Sequence, residues 1–495
     1  MSDYNGYNLQ VSGFDLNIIP TIPSPSPGSA NIVVNHNAVV HPVSQRLGIN
    51  TNYWEDAAGR RTVQNHLLNG HRRLGVSYAR YPGGHKADDV TFFLDKNGSV
   101  VATPTPRLAR FGSGEWPATD ERFWTPANDP AGSFSRPLYN LPEFLDDCRA
   151  SGTTPIIVVA LDTVYNAPTG ANARNITKSQ AIANAVAMVQ WCNVTHNYGV
   201  KYWELGNESW SNSSGYTRGY VDANGVAHPE AYGADFADMA AAMKAVDPTI
   251  LVGLNWNSQA GYETALAAAG PANVDFLVAH RYPFFGTDYT AYQAISSPNM
   301  VSEANRASNA IATLSPSDQQ RIFVMMTETG FTSQPNNLGS AIIHAHILGA
   351  QLATANIAAT LVWNSRYAPY GTSHDMFDDL NKLTPSGMGV HLASQLATPT
   401  AAVVSASSNV ANVHAYATYD VTQGRMAALI INRTNSMQNV TVATAGMTSA
   451  RLRLLSGTGP TDTMPTITTS TPFIIGGVST INLPAASVGL VIATK

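Results

Sequence analysis

The sequence predicts an α/β protein: a (β/α)8 barrel followed by an antiparallel β-sandwich. Between residues 46 and 397, short apolar runs alternate with longer amphipathic segments, as repeated strand–helix units do. Eight such runs are present, the strand number of a (β/α)8 barrel. They are RLGIN at residue 46, VSYAR at 76, PIIVVAL at 155, KYWEL at 201, ILVGLN at 250, VDFLVAH at 274, RIFVMMT at 321 and AATLVWN at 358.

The last part of the chain has a different composition and pattern. From about residue 400 it is rich in Val, Thr, Ser and Ala, with turn signals between the runs NVHAYATYD, MAALIINRT, QNVTVATA, ARLRLLSG and SVGLVIATK. This pattern is typical of an antiparallel β-sandwich. The early run ANIVVNHNAVV is expected to join the sandwich, because the barrel already has its eight strands. We therefore predict an N-terminal segment over 1–45, a barrel over 46–397 and a sandwich over 398–495.

Composition excludes several classes of partner. The 495 residues are 44% hydrophobic and 12% charged, as in a compact globular protein, and the net charge of -5 offers no broad basic surface for nucleic acid. No apolar run reaches the roughly eighteen residues of a membrane span. No secretory signal is visible at the N-terminus, so a secreted protein with its signal removed and a cytoplasmic protein both remain open. The sequence does not predict the oligomeric state.

The two cysteines, Cys148 and Cys192, fall in consecutive predicted helices. A single disulfide between them and two separate buried thiols are both compatible with this placement. No cluster has the His/Cys/Asp spacing of a bound metal, and no Gly-rich strand-to-helix loop suggests a phosphate or dinucleotide site. We expect neither a metal nor a cofactor.

Polar and aromatic residues follow the predicted strands. In a (β/α)8 barrel the residues beyond the C-terminal strand ends converge on one pocket, where active sites lie. In strand order they are Asn50, Asn52, Trp54 and Glu55; Arg80 and His85; Asp162 and Tyr165; Asn207, Glu208 and Trp210; Asn255 and Trp256; His280, Arg281 and Tyr282; Glu328; and Trp363, Asn364 and Arg366.

Two glutamates stand out in this set. Glu208 follows the fourth strand and Glu328 the seventh, so their carboxyl groups can face each other across the barrel mouth. Paired carboxylates are what glycoside hydrolysis requires: one protonates the leaving oxygen while the other attacks the anomeric carbon or activates water. In the retaining mechanism the two carboxyl groups are about 5 to 5.5 Å apart.

The motifs WELGNESW, at residues 203–210, and MMTETGF, at 325–331, resemble the two glutamate signatures of clan A glycoside hydrolases. With ARYPGG after strand two and a trailing sandwich, the chain resembles the α-L-arabinofuranosidases, with β-glucuronidases of the heparanase type and endoglucanases as relatives. The resemblance implies a retaining enzyme on a (β/α)8 barrel. One departure is the segment GGHKADD, which has His85 where the arabinofuranosidases carry asparagine.

The resemblance also implies roles for individual residues. Glu208 matches the acid/base, Glu328 the nucleophile and Asn207 the residue that binds the substrate 2-hydroxyl. Tyr282 matches the tyrosine that bonds the nucleophile, and His280 the histidine near it. Further predicted substrate-binding residues are Arg80, Trp363, Glu55, Asn255 and His85. Glu204, by contrast, is expected to point into the barrel or to make a structural hydrogen bond.

The resulting hypothesis is a retaining glycosidase acting on a polysaccharide or an oligosaccharide derived from one. An arabinofuranoside is the first expectation for the bond, followed by endo-β-glucanase or xylanase-type activity and then by a β-glucuronidase. A non-catalytic carbohydrate-binding protein on a hydrolase fold is the alternative from another class, because fold alone does not fix function.

Overall fold

The structure is a computed structural model of the chain. It describes residues 28–41, 46–52, 56, 66–87, 90–94, 98–104, 107–108, 139–165, 176–211, 219–283, 289–331, 335–366 and 372–495.

The strands within these residues are β1 (Ser29–His41), β2 (Arg46–Asn50), β3 (Tyr78–Tyr81), β4 (Val90–Thr91), β5 (Arg107–Leu108), β6 (Thr154–Val159), β7 (Tyr202–Leu205), β8 (Leu251–Asn255), β9 (Phe276–Arg281), β10 (Phe323–Thr329), β11 (Ile357–Val362), β12 (Ala402–Ser408), β13 (Val413–Asp420), β14 (Arg425–Asn432), β15 (Gln438–Ala443), β16 (Ser449–Ser456), β17 (Thr466–Ser470), β18 (Ile474–Ile475), β19 (Val478–Leu483) and β20 (Ser487–Thr494). The helices are α1 (Leu67–Leu74), α2 (Leu141–Ser151), α3 (Lys178–Val189), α4 (Pro229–Val246), α5 (Gln259–Ala269), α6 (Tyr289–Gln293), α7 (Ser302–Ile311), α8 (Pro316–Arg321), α9 (Leu338–Leu352) and α10 (Pro385–Ser394).

The predicted barrel is confirmed. In the described part of the chain, eight parallel strands close in the order β10-β11-β2-β3-β6-β7-β8-β9, and each corresponds to one of the eight apolar runs. Capping residues set the ends of the helices between the strands, as in α2. Asn140 and Glu143 form a capping box at its start, and Gly152 ends it in the left-handed conformation. The helices and the outward faces of the strands share one large apolar core.

Alternation along the strands directs every second side chain into the barrel, and these inward-pointing side chains form two layers. Side chains of odd and even residues in a strand point to opposite faces. The lower interior is filled by a separate apolar cluster, made of Ile156, Phe276, Val278, Met325, Ala359 and Leu361. Towards the C-terminal strand ends the interior is polar and still buried, as Arg80 and Glu204 illustrate. The apolar layer therefore forms a dry floor beneath a charged upper layer.

The sandwich is also confirmed, with one difference in strand direction. Among the described residues a ten-stranded sheet runs in the order β17-β16-β20-β14-β13-β12-β1-β15-β19-β18. The strand β1 pairs antiparallel with β12 and parallel with β15, so the sheet is mixed rather than wholly antiparallel. Helices α9 and α10 pack against strands of this sheet and join the two units. We propose domain boundaries near residues 45 and 397, the second between α10 and β12.

Cys148 and Cys192 are both buried free thiols, so the disulfide alternative was wrong. Burial raises the pKa of the Cys148 thiol to about 12, which keeps it protonated and unreactive at neutral pH. Across the described residues, no helix combines the length and the apolar character needed to cross a membrane.

Candidate active site

The upper interior of the barrel is organised around Arg80, which lies near the end of β3 and has no exposed surface. Its Nη1 donates to Glu328 Oε1 at 2.7 Å and to Asn50 Oδ1 at 2.9 Å. Its Nη2 donates to Asn207 Oδ1 at 2.8 Å, and its Nε donates to Glu204 Oε2 at 2.8 Å. The Arg80 guanidinium thus links residues at the ends of four strands, β2, β3, β7 and β10.

The charges around Arg80 sustain its ionised form. Burial by itself lowers the pKa of Arg80, but the carboxylates of Glu204 and Glu328 outweigh this effect, so the pKa is raised above its ordinary value. Arg80 therefore remains a permanent cation between two carboxyl groups. These protein partners take up four of its five N–H donors, and direct substrate binding by Arg80 stays a prediction.

Glu328 lies in β10 and is 4% exposed. Besides the bond from Arg80, it accepts a hydrogen bond at Oε2 from the Tyr282 hydroxyl at 2.9 Å. A shift in the pairing of β9 and β10 between Met326 and Glu328 places Glu328 opposite His280. Two donors, one of them charged, therefore meet the two oxygens of this carboxyl group.

Glu208 sits in the turn that follows β7. Its backbone has φ +50°, an uncommon value for a residue other than glycine, and neighbouring groups hold the turn in place. The hydroxyl of Ser209 donates to Asp162 Oδ1 at 2.6 Å, and the Ser209 amide donates to Asn255 Oδ1 at 2.8 Å. The turn directs the Glu208 side chain into the barrel mouth with 20% of its surface exposed.

Asn255 supports this turn. Its side-chain amide donates to the Leu205 carbonyl at 2.8 Å and to the Tyr232 hydroxyl at 2.9 Å, while its oxygen accepts from Ser209. The residue has no exposed surface. Backbone and tyrosine groups occupy its amide, so the structure gives Asn255 a supporting role, and substrate binding by Asn255 stays a prediction.

His280 joins the two glutamates. Its Nδ1 lies 3.0 Å from Glu208 Oε1 and 3.7 Å from Glu328 Oε2, and its Nε2 lies 3.2 Å from the Thr327 hydroxyl. A carboxylate oxygen of each glutamate and one ring nitrogen of His280 all lie within 4.8 Å of one another. Such a triad can also hold a divalent cation, but the Arg80 guanidinium bonded to Glu328 makes further positive charge unfavourable there.

Asn207 presents an unused donor. Its Oδ1 is held by Arg80, while its buried Nδ2 has no hydrogen-bond partner among the described residues. A buried amide donor without a partner is costly, and a ligand hydroxyl would satisfy it.

Trp363 follows β11 and is 8% exposed. Gly84, with φ +43°, lies against its indole ring: a Cβ built at Gly84 would come within 2.5 Å of the Trp363 ring. A glycine here allows the loop after β3 to pack flat against the indole.

The structure adds a site residue that the sequence did not predict. His374 stands edge-on to Tyr282, with ring centroids 6.1 Å apart. Burial lowers its pKa to about 4, although a hydrogen bond with the Trp363 backbone and the charge of Glu328 act in the opposite direction. His374 is therefore neutral near pH 7 and braces the Tyr282 side of the site. Its position far from any strand end left no signal in the sequence.

Of the other predicted residues, Glu55 and the side chain of His85 lie outside what the structure describes, as does Trp54. The remaining predicted set comes together: Glu208, Glu328, Asn207, Arg80, His280 and Tyr282 form one connected cluster.

Comparison with known proteins places this fold among solved structures. Neither a family model nor a curated protein matches the chain. An α-L-arabinofuranosidase from Thermotoga maritima superposes with a TM-score of 0.69 at 16% identity, covering 94% of this chain and 100% of its own. A bifunctional glucanase-xylanase from a metagenome library gives 0.63 at 16% identity, covering 94% and 99%. A family 44 xyloglucanase from Paenibacillus polymyxa gives 0.64 at 12% identity, covering 94% and 100%. The chain therefore has the barrel-and-sandwich fold of these solved structures over nearly its whole length.

Proposed function

We propose that this protein is a retaining glycoside hydrolase that cleaves O-glycosidic bonds of a polysaccharide, or of an oligosaccharide derived from one, by double displacement. The observation that carries the proposal is the pair Glu208 and Glu328, whose carboxylate oxygens approach within 4.8 Å in two different environments. This spacing supports retention, since inverting enzymes separate their carboxyl groups by roughly 6.5 to 9.5 Å to admit a water.

Glu328 is proposed as the nucleophile. The bonds from Arg80 and Tyr282 hold its carboxyl group in place, and in the first step this group attacks the anomeric carbon. Glu208 is proposed as the acid/base because it is the more exposed of the pair and contacts a titratable partner, His280. It gives a proton to the leaving oxygen in the first step and takes one from water in the second.

Asn207 is proposed to bind the sugar. Its unpartnered Nδ2 suits a hydroxyl at C2 of the sugar, whose hydrogen bond strengthens in the transition state. Trp363 is proposed as the floor of the same subsite, where its flat face would meet the sugar ring. An α-L-arabinofuranoside is our first candidate substrate, in line with the name of the Thermotoga maritima structure.

Endo-β-glucanase or xylanase-type activity is the second candidate, since the metagenome structure carries that name. A β-glucuronidase ranks third, because Arg80, the buried cation of the described site, is already bonded to protein groups. Chromogenic glycosides and soluble polysaccharides, tested as a panel with the products identified, separate these candidates.

One experiment tests the assigned roles. Glu208→Ala should still form the glycosyl-enzyme from an activated aryl glycoside, and then stall because no base remains to activate water. Added azide needs no deprotonation, so it should restore turnover and give a glycosyl azide of retained configuration. Glu328→Gln should lose turnover with every substrate and gain nothing of this kind from azide. A panel with no hydrolysis by the unaltered protein would favour the carbohydrate-binding alternative instead.

A further inference from the structure

We propose that Glu204 is a positioning residue for the reaction at Glu328: its buried carboxylate orients the Arg80 guanidinium and offsets its positive charge. The kinetic consequences rest on the proposed function. The electrostatic consequence rests on the ion-pair geometry alone and can be measured without any substrate.

The orientation follows from the planar shape of the guanidinium. Glu204 and Arg80 each have a side chain with 0% exposure, and the Nε–Oε2 distance is 2.8 Å. A bond at Nε fixes the rotation of the planar group about its long axis. The Nη1 and Nη2 donors then point to Glu328 and Asn207, the proposed nucleophile and the proposed sugar-binding amide. Without the bond at Nε, the Arg80 guanidinium is free to turn away from Glu328 or from Asn207.

Two carboxylates share the positive charge of Arg80. Glu204 and Glu328 both contact Arg80, at 2.8 Å and 2.7 Å. In a buried site an unshared guanidinium would hold the Glu328 carboxylate strongly, and that stabilisation would be lost as its charge is used on the anomeric carbon. A second carboxylate on the same guanidinium weakens this hold. Glu204 therefore keeps Glu328 in place while leaving it reactive.

The Glu204 carboxylate is only partly satisfied by hydrogen bonds. The Oε1 atom of Glu204 is buried and has no hydrogen-bond partner among the described residues. A buried carboxylate with an unpaired oxygen is unfavourable. Replacing Glu204 also leaves Arg80 and Glu328 as a balanced pair, so the neutral variant is expected to fold.

The test is the titration of Glu328 in the full-length chain. It is monitored by NMR of carboxyl-13C-labelled glutamate. The Glu328 signal is identified by its absence from the spectrum of Glu328→Gln. In Glu204→Gln the midpoint should move to lower pH by at least about half a unit, because a nearby negative charge has been removed. The acid limb of the kcat/KM profile should move in the same direction, with kcat reduced about 10- to 100-fold. An unchanged midpoint would overturn the proposal.

Glu303→Gln is the matched control. Glu303 is 8% exposed and pairs with Arg281 at 3.1 Å and Arg306 at 3.3 Å, so the same substitution disrupts a similar ion pair on α7. It should leave the Glu328 midpoint and the pH profile where they are in the unaltered protein. An equal shift in this control would also overturn the proposal.

Glu204→Asp separates orientation from charge. It keeps the negative charge but withdraws the carboxylate by one methylene, so the Glu328 midpoint should stay near its original value. Because the guanidinium would tilt, kcat/KM should fall at least about 10-fold. Full activity in this variant would overturn the orienting role. If the unaltered protein hydrolyses nothing in the substrate panel, the proposed function fails, while the titration still decides the electrostatic role of Glu204.

Discussion

The pH dependence of stability can be predicted from one buried histidine. His71 lies in α1, is 1% exposed, and neither ring nitrogen has a hydrogen-bond partner among the described residues. Burial lowers its pKa from 6.5 to about 4; Asp56 and Asp147 act in the opposite direction, and Arg366 acts in the same direction. The folded protein therefore holds this imidazole neutral at mildly acidic pH.

The sign and size of this pH dependence follow from proton linkage. Below pH 6.5 the unfolded chain binds a proton at His71, while the folded chain does so only near pH 4. The free energy of unfolding therefore falls as the pH drops through the window from 6.5 to about 4. Between about pH 7 and about pH 5 the loss from this one group amounts to about 2 kcal/mol. Because the His71 ring is buried, solvent screening does not reduce this loss.

The assay is urea unfolding at two pH values, near pH 7 and near pH 5, monitored by tryptophan fluorescence. Replacing His71 with Leu removes this linkage, so the variant should gain about 2 kcal/mol relative to the original chain on going to the lower pH. Other buried histidines with a lowered pKa, such as His344 and His414, are present in both chains and cancel. The exposed His196, replaced by Leu, is the control and should leave the pH dependence unchanged. Parallel stability curves for His71→Leu and the original chain would refute the reasoning.

Three further predictions concern the site and the thiols. Tyr282→Phe removes the 2.9 Å hydrogen bond to the proposed nucleophile and should reduce kcat about 10- to 100-fold in steady-state assays, with little change in melting temperature. Gly84→Ala forces alanine into φ +43° and against the Trp363 ring, so calorimetry should show a loss of about 1–3 kcal/mol and kinetics a higher KM. Cys148 and Cys192 are buried free thiols, so neither should react with a thiol reagent until denaturant is added, and a reductant should not change the melting temperature.

The barrel could be predicted from the sequence because its strands are buried on both faces and read as continuous apolar runs. The half-exposed strands of the sandwich gave weaker signals. Strands β12, β17 and β19 have the sequences AVVSASS, TITTS and VSTINL, in which polar residues blur the apolar alternation, and they were not predicted. The parallel pairing of β1 with β15 depends on contacts between distant segments that no local pattern encodes.

The catalytic pair was predictable for a related reason: Glu208 and Glu328 follow buried strands, and strand ends converge in a closed barrel. Position alone did not show which strand-end side chains are free to meet a ligand. Asn255 occupies such a position, yet its amide is taken by Leu205, Ser209 and Tyr232. The sequence predicted that Glu204 points into the barrel or makes a structural hydrogen bond, but its link to Arg80 required the structure.

Trapping the covalent bond between Glu328 and the sugar tests the proposed mechanism most directly. A 2-deoxy-2-fluoro glycoside with an activated leaving group, built on the sugar that the substrate panel identifies, should accumulate as a glycosyl-enzyme because its second step is slow. Peptide mass spectrometry should then find the added mass on Glu328. A label on Glu208 or Glu204, or rapid release of product with inverted configuration and no label, would contradict the assignment.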